Sequence, residues 1–277
     1  MGLDNKHRDR DLKIPKYRQT MLKEIEQDLL KDENVLAIFY GGSIGNRNTD
    51  LYSDIDLRIV VKDEMFEEYR LNKRERAKNW GKVLFFEDFP WATYIVAHYD
   101  NFIKVDTFYY RKEDIQPSVW LQNISIVFDT TGFMEEILKK SMNLFFRPTV
   151  QEVEIWRTKF FAYVHEAYRR VNRKEMYYAL NCLDNLRVSM AMAWYMDKGL
   201  QPNAFGDWAK YEGERSELDN WQLALLADWH SSREPNDLMD VLKKIIPEFK
   251  KTHKSLCEKV EIEEEPEWVD EIFGMVL

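Results

Sequence analysis

The stretch Gly41-Gly42-Ser43-Ile44-Gly45-Asn46-Arg47, followed after a short link by Ser53-Asp54-Ile55-Asp56-Leu57, decides how this chain is read. Two apolar runs of strand length frame it, Val35 to Tyr40 and Ile55 to Val61, and Gly41-Gly42 ends the first. Glycines let a backbone approach an anion closely. The N–H groups of such a turn, with the Ser43 hydroxyl, can hold phosphate oxygens. An ordinary β-turn is the simpler alternative. The familiar phosphate loops do not fit: no Gly-Lys-Ser/Thr follows, and the GxGxxG spacing is absent.

The acidic pair comes next. Residues i and i+2 of a strand share a face, so Asp54 and Asp56 project side by side among Ile55, Leu57 and Ile59. Crowded carboxylates repel each other unless a cation lies between them. Hard oxygen ligands of this kind suit Mg²⁺, which takes one or two carboxylates plus substrate phosphates. A solvated strand end is the alternative, since Asp-x-Asp alone is a short motif. Further on, Ile103-Lys104-Val105-Asp106-Thr107-Phe108 alternates, which puts Asp106 on the face opposite Val105 and Thr107. A carboxylate inside an apolar strand needs a partner. A metal, a proton donor, or a salt bridge to Arg58 or Lys104 would each serve.

Outward from this centre, Tyr17 to Lys31 reads as an amphipathic helix and Glu64 to Trp80 as a charged one. Val83 to Phe86, Thr93 to Tyr99 and Phe102 to Tyr109 read as strands, with Asp100-Asn101 a tight turn between the last two. Ile124 to Phe128 is a further strand and Phe133 to Leu144 a helix. Phe85, Phe86, Phe89, Trp91 and Tyr94 are expected in the core, with stacking on a nucleobase or lining of an acceptor site the alternative for some of them, and Lys73 to Lys78 are expected on a solvated helix face. His98 has no second histidine at ligand spacing, so packing or a hydrogen bond is expected of it.

Beyond Arg147-Pro148 the texture changes. Val153, Trp156, Phe160, Tyr163, Ala167 and Val171 form a stripe at helical spacing. Met176, Leu180, Leu183, Arg187 and Met190 form a second, and Gly199 and Pro202 then punctuate the chain. Two or three more helices and the acidic segment Glu261 to Glu265 follow. The expected layout is an α/β domain over residues 1–147 and an all-α domain over 148–277.

The chain has 277 residues, of which 45 % are apolar and 14 % aromatic, ample for a packed core in each half. Its formal charge of −9 repels phosphate backbones, so no long nucleic-acid partner is expected. The same balance suits a cationic small-molecule partner. Cys182 and Cys257 have no CxxC spacing, which excludes a disulfide framework or a cysteine-rich zinc site. Cys182 lies in an apolar helical run and reads as a buried, inert thiol. Met1 to Arg18 is charged and has no apolar signal core, and no run of about 18 apolar residues exists to span a bilayer. No membrane association and a cytoplasmic location are expected.

Together, the Gly-Ser turn, the Asp-x-Asp strand and the third Asp resemble the nucleotidyltransferase superfamily built on the DNA polymerase β-like palm. The strand ending in Gly-Ser, the Asn- and Arg-containing loop, and the helix carrying Asn181-Cys182-Leu183-Asp184-Asn185-Leu186-Arg187 resemble the aminoglycoside 6-adenylyltransferase group of antibiotic nucleotidyltransferases more loosely. The resemblance implies a palm with a mixed sheet followed by a helical bundle. It implies two Mg²⁺ ions held by Asp54, Asp56 and Asp106, and an NTP, expected to be ATP, held by Gly42, Ser43 and Arg47. A substrate hydroxyl would attack the α-phosphorus and release pyrophosphate. Asp106 would ligate the second metal or accept the hydroxyl proton. An acid of the helical domain takes the base role in some members; Glu154, Glu166 and Asp184 are the candidates, against plain surface charge. The rival readings are a protein AMP-transferase of the same superfamily and a catalytically silent nucleotide-binding module.

Overall fold

Strand alternation and helical stripes separate along the chain into two compact units, one ending at Leu144 and the other beginning at Phe145. The computed structural model describes residues 6–277; residues 1–5, part of the charged N-terminal arm, lie outside the described residues.

In the first unit the described residues form one six-stranded mixed sheet. Its strands are β1 (Val35–Tyr40), β2 (Ile55–Val61), β3 (Val83–Glu87), β4 (Tyr94–Tyr99), β5 (Lys104–Tyr110) and β6 (Ser125–Asp129), in the order β3-β4-β5-β2-β1-β6. β2 and β5 run parallel and every other neighbouring pair is antiparallel. The helical segments are α1 (Arg8–Asp11), α2 (Ile14–Leu29), the single turn α3 (Gly42–Gly45), α4 (Phe66–Lys78) and α5 (Phe133–Ser141).

One face of the sheet is closed by α2 and α4. Met21, Ile25 and Leu29, at the i+4 spacing of one helix face, pack with Phe66, Tyr69 and Ala77 against Ile55, Leu57, Ile59, Val105 and Tyr109. Burying each such aliphatic side chain contributes about 1.5–3 kcal/mol, which is what holds helix to sheet. On the other face, Phe133 and Met134 of α5 cover Ala37, Phe39 and Val60. The alternate residues Lys104, Asp106, Phe108 and Tyr110 of β5 are left half-covered.

Two expectations for this unit are corrected. Of the aromatic group assigned to the core, Phe85 is 54 % exposed, Trp91 77 %, and Phe89 is exposed too, while Phe86 and Tyr94 are half-buried. β3 is the outermost strand, so its side chains have packing neighbours on one side only. Lys73, expected on a solvated helix face, is 3 % exposed. Its ammonium donates to the Phe89 and Ala92 carbonyls at 2.8 and 2.7 Å and pairs with Asp88 at 2.8 Å, tying α4 to the β3–β4 loop. Arg76 in the same run pairs with Asp28 and Asp32 at 2.7 and 2.6 Å.

The second unit is all-helical: α6 (Val150–Asn172), α7 (Met176–Asp197), α8 (Asn220–Asp228), α9 (Pro235–Val260) and α10 (Pro266–Gly274). Thr149 and Glu152 start α6 with a reciprocal capping box. The α6 stripe supplies Val153, Trp156, Phe160 and Ala167 to a core completed by α7 and α9, where Phe160 stacks on Phe249 with ring centroids 4.1 Å apart. Cys182 and Cys257 are buried free thiols. Among the described residues, no helix is long and apolar enough to cross a membrane.

Candidate active site

The parallel pairing of β2 with β5 sets Asp56 directly opposite Asp106. Asp54 stands one residue ahead of β2, so the alternation that directs Asp56 also directs Asp54 to the half-covered face. The glycine turn is fastened to the same spot: the Gly41 N–H donates to the Asp56 carbonyl at 2.9 Å. Gly42 then takes φ +53°, in the left-handed region, with its Cα pressed on the Asp56 side chain. A Cβ there would stand 2.7 Å from Asp56 Cγ, a separation that real Cβ atoms do not show.

From Gly42 the backbone winds the turn α3 rather than a plain β-turn. The Asn46 side-chain amide donates back to the Gly42 carbonyl at 2.6 Å and the Gly45 N–H to Gly41 at 2.9 Å. Ser43 is buried in this turn, and its hydroxyl has no hydrogen-bond partner among the described residues. Arg47 follows with φ +57° and is exposed.

Charge around the acids is partly balanced by two cations. Lys104 Nζ lies 2.7 Å from Asp54 Oδ2 and 3.1 Å from Asp106 Oδ2. Arg58 Nη2 lies 3.7 Å from Asp56 Oδ1, with the guanidinium centred 4.0 Å above the Phe108 ring. Of the two salt-bridge partners weighed for Asp106, Lys104 is therefore the one in place. Asp106 Oδ1 is buried and has no hydrogen-bond partner among the described residues. Burial, reinforced by the charges of Asp54 and Asp56, raises the Asp106 pKa above the usual carboxylate range despite the Lys104 ammonium. For Lys104, burial alone would lower the pKa. The hydrogen bond to Asp54 and the two carboxylate charges outweigh it, so the ammonium is held more firmly protonated than usual.

Among the described residues, no set of three or more His, Cys, Asp or Glu side chains forms a ready protein cage for a metal. The residues nonetheless suit Mg²⁺. That ion completes its shell with water and phosphate around one or two carboxylates, and Asp106 Oδ1 is a buried oxygen in want of a partner. Asp54, Asp56 and Asp106 are the residues that would hold it.

The three acids named in the helical half are each engaged locally. Glu154 pairs with Arg157 at 2.6 Å. Glu166 accepts from Arg170 at 2.6 Å, and chiefly that bond lowers its pKa, which makes it a poor proton acceptor. Asp184 accepts from the Trp208 indole at 3.1 Å and lies 3.4 Å from Arg187.

The sequence offers Lys104 only as a salt-bridge partner of Asp106, and it gives Arg18 no role. Lys104 sits two positions before Asp106, on the same strand face, so the alternation that placed one placed the other. Buried Arg18 of α2 donates to the Ser53 and Asp50 carbonyls at 2.8 and 2.9 Å and so steadies the loop that delivers Asp54. Its signal was a cation in register with the apolar stripe Met21, Ile25 and Leu29.

No protein-family model and no curated protein sequence matches this chain. Among solved structures, the chain is similar to an aminoglycoside 6-adenyltransferase from Bacillus subtilis at 14 % identity and a TM-score of 0.43, over 92 % of this chain and 98 % of that one. It is also similar to a nucleotidyltransferase-like protein from Exiguobacterium sibiricum at 14 % identity and a TM-score of 0.45, over 88 % of this chain and 78 % of that one.

Proposed function

We propose that this protein is a nucleotidyltransferase that moves a nucleoside monophosphate, AMP from ATP, onto a hydroxyl of a small molecule. The observation that carries the reading is the seating of the Gly42 backbone on the Asp56 carboxylate, in register with Asp106. A turn able to receive phosphate oxygens and a group of acids able to receive a cation thereby occupy one place.

In the reaction the acceptor oxygen forms a bond to the α-phosphorus as the bond to the β-phosphate oxygen breaks, and pyrophosphate leaves. The backbone N–H groups at Gly42–Gly45 and the unpartnered Ser43 hydroxyl bind the phosphates, with exposed Arg47 at the rim as a charge-assisted donor. Asp54 and Asp56 would hold Mg²⁺, which when bound would supply charge neutralisation to the triphosphate and the leaving oxygen. Asp106 either completes that ligand set or takes the proton of the attacking hydroxyl at its buried Oδ1. The excess of 49 acidic over 40 basic residues favours a cationic acceptor, such as an aminoglycoside.

The test is to incubate the purified protein with Mg²⁺ and each NTP, with polycationic aminoglycosides and neutral hydroxylated acceptors, at low and high salt. Pyrophosphate release and acceptor mass are followed. A nucleotidyl adduct is expected, best with a cationic acceptor and weakened by salt. Asp54→Asn and Asp56→Asn should each lower the rate by about three decades. Pyrophosphate from no combination, or near-normal turnover in those variants, overturns the reading.

A further inference from the structure

Lys104 and Asp106 lie on the same face of β5, and the Lys104 ammonium spans 2.7 Å to Asp54 Oδ2 and 3.1 Å to Asp106 Oδ2. One nitrogen thus joins the acid ahead of β2 to the acid on β5. It stands among the carboxylates to which the proposed function gives a divalent cation.

An ammonium serves this place incompletely. It carries donors and one charge, and its bonds to Asp54 and Asp106 are both to Oδ2, which leaves Asp106 Oδ1 buried with no partner among the described residues. Arg58 is turned to Asp56 and stacked on Phe108, so it does not supply the missing contact. The lysine is also free to leave. It sits on a flexible four-carbon stem, and its side chain is 36 % exposed, so withdrawal disturbs neither the strand pairing nor the core beneath it. A doubly charged ion arriving with phosphate oxygens competes for the same carboxylates and gives the displaced ammonium a new anionic partner.

Building on the nucleotidyltransferase reading, we propose that Lys104 is a tethered counter-cation. It closes Asp54 against Asp106 while metal and nucleotide are absent, and it is displaced when a divalent cation takes those oxygens. The consequence is coupling. Bare metal must evict the ammonium into water and binds weakly, whereas metal with nucleotide lets it pair with phosphate and binds well.

The experiment measures Mn²⁺ binding by the loss of its free electron-spin-resonance signal, using the full chain and its Lys104→Met and Lys104→Gln variants. Each is titrated with and without a non-hydrolysable ATP analogue. In the absence of nucleotide the variants should bind Mn²⁺ on the order of tenfold to a hundredfold more tightly than the native protein, and the enhancement by nucleotide should shrink by a similar factor. Variants that bind bare Mn²⁺ no better than the native protein overturn the proposal. If the native protein still binds Mn²⁺ with nucleotide and transfers, the nucleotidyltransferase reading survives that result. Absence of Mn²⁺ binding in all three, with and without nucleotide, ends both. Should either neutral variant fail to fold, the native protein labelled with ¹³C at lysine Cε decides. The Lys104 resonance, assigned by its loss in Lys104→Arg, should shift on adding Mg²⁺ and analogue, and a resonance unmoved at saturation overturns the proposal.

Discussion

Gly42 lies against the carboxylate of Asp56 with no space for a side chain between them; a Cβ on Gly42 would be 2.7 Å from Asp56 Cγ. The turn and the acidic strand are therefore one unit, and disturbing either displaces the other. Gly132 is the natural control, because it also has positive φ, +73°, but a Cβ there meets nothing within 4 Å. Gly42→Ala and Gly132→Ala should each lose about 1 kcal/mol of stability from the left-handed backbone alone. Gly42→Ala alone should also lose about two decades in transfer rate, because misplacing a catalytic group by about 1 Å costs that much. Denaturant melts and pyrophosphate release on the same preparations check both numbers. Equal turnover in the two variants would show that the contact has no part in the site.

Asp106→Asn separates a reacting carboxylate from a salt-bridge partner. The variant is isosteric, and Lys104 keeps its 2.7 Å contact to Asp54, so the melting temperature should hardly move. The turnover number should fall by about three decades with little change in KM for the NTP, since the lost interaction belongs to the transition state. The opposite pattern, a lowered melting temperature with turnover per folded molecule intact, would reduce Asp106 to a structural ion.

Lys73 tests a different kind of buried charge. Its ammonium donates to two carbonyls and pairs with Asp88, all within 2.8 Å. Lys73→Met leaves those acceptors facing an apolar chain and should destabilise the first unit by about 3 kcal/mol. Arg74, 2.6 Å from Asp88, keeps that carboxylate from losing every partner. A change in melting temperature no larger than that of Lys78→Met, a lysine on the exposed side of α4, would return Lys73 to the solvated face expected of it.

The span Val35 to Tyr40 and the span Ile55 to Val61 coincide with β1 and β2, because short apolar runs bounded by glycine or polar residues admit few other conformations. Alternation likewise put Asp106 on the face opposite Val105 and Thr107, which are fully buried. Lys73 and Phe85 depart from the sequence expectation for a shared reason. Which side of a helix or strand is covered depends on neighbours distant in sequence: the β3–β4 loop folds over Lys73, and β3 ends the sheet beside Phe85. The Lys104–Asp106 pair is legible from alternation on one strand, but the reach of Lys104 to Asp54 as well needs the parallel register of β2 and β5, which no local pattern states.

His253 carries the pH dependence of the second unit. It is buried, and its Nε2 faces both Arg157 Nη1 at 3.4 Å and Cys257 Sγ at 3.2 Å. Two donors directed at one nitrogen require a neutral imidazole with its proton on Nδ1. Burial first, and then the Arg157 charge, hold its pKa down at about 4 against an ordinary 6.5, with Glu154 opposing weakly. As pH falls below about 6.5 the unfolded chain takes up this proton and the folded chain does not. Stability is therefore fully present above that value and is lost progressively down to about pH 4. At about 1.4 kcal/mol per pH unit, the loss reaches about 3 kcal/mol. Glu166 of the second unit, with its lowered pKa, loses its contribution below its own ordinary range. Asp106, whose pKa is raised, belongs to the first unit, so in the second unit the interval from pH 6.5 to 5 isolates the histidine. Trp156, whose ring lies 6.3 Å from that of His253, gives a local fluorescence signal for melting. The native midpoint should fall across this interval, and that of His253→Gln should stay nearly level. Parallel curves for the two proteins would mean that this imidazole does not titrate on unfolding and that Nε2 is not held by Arg157 and Cys257.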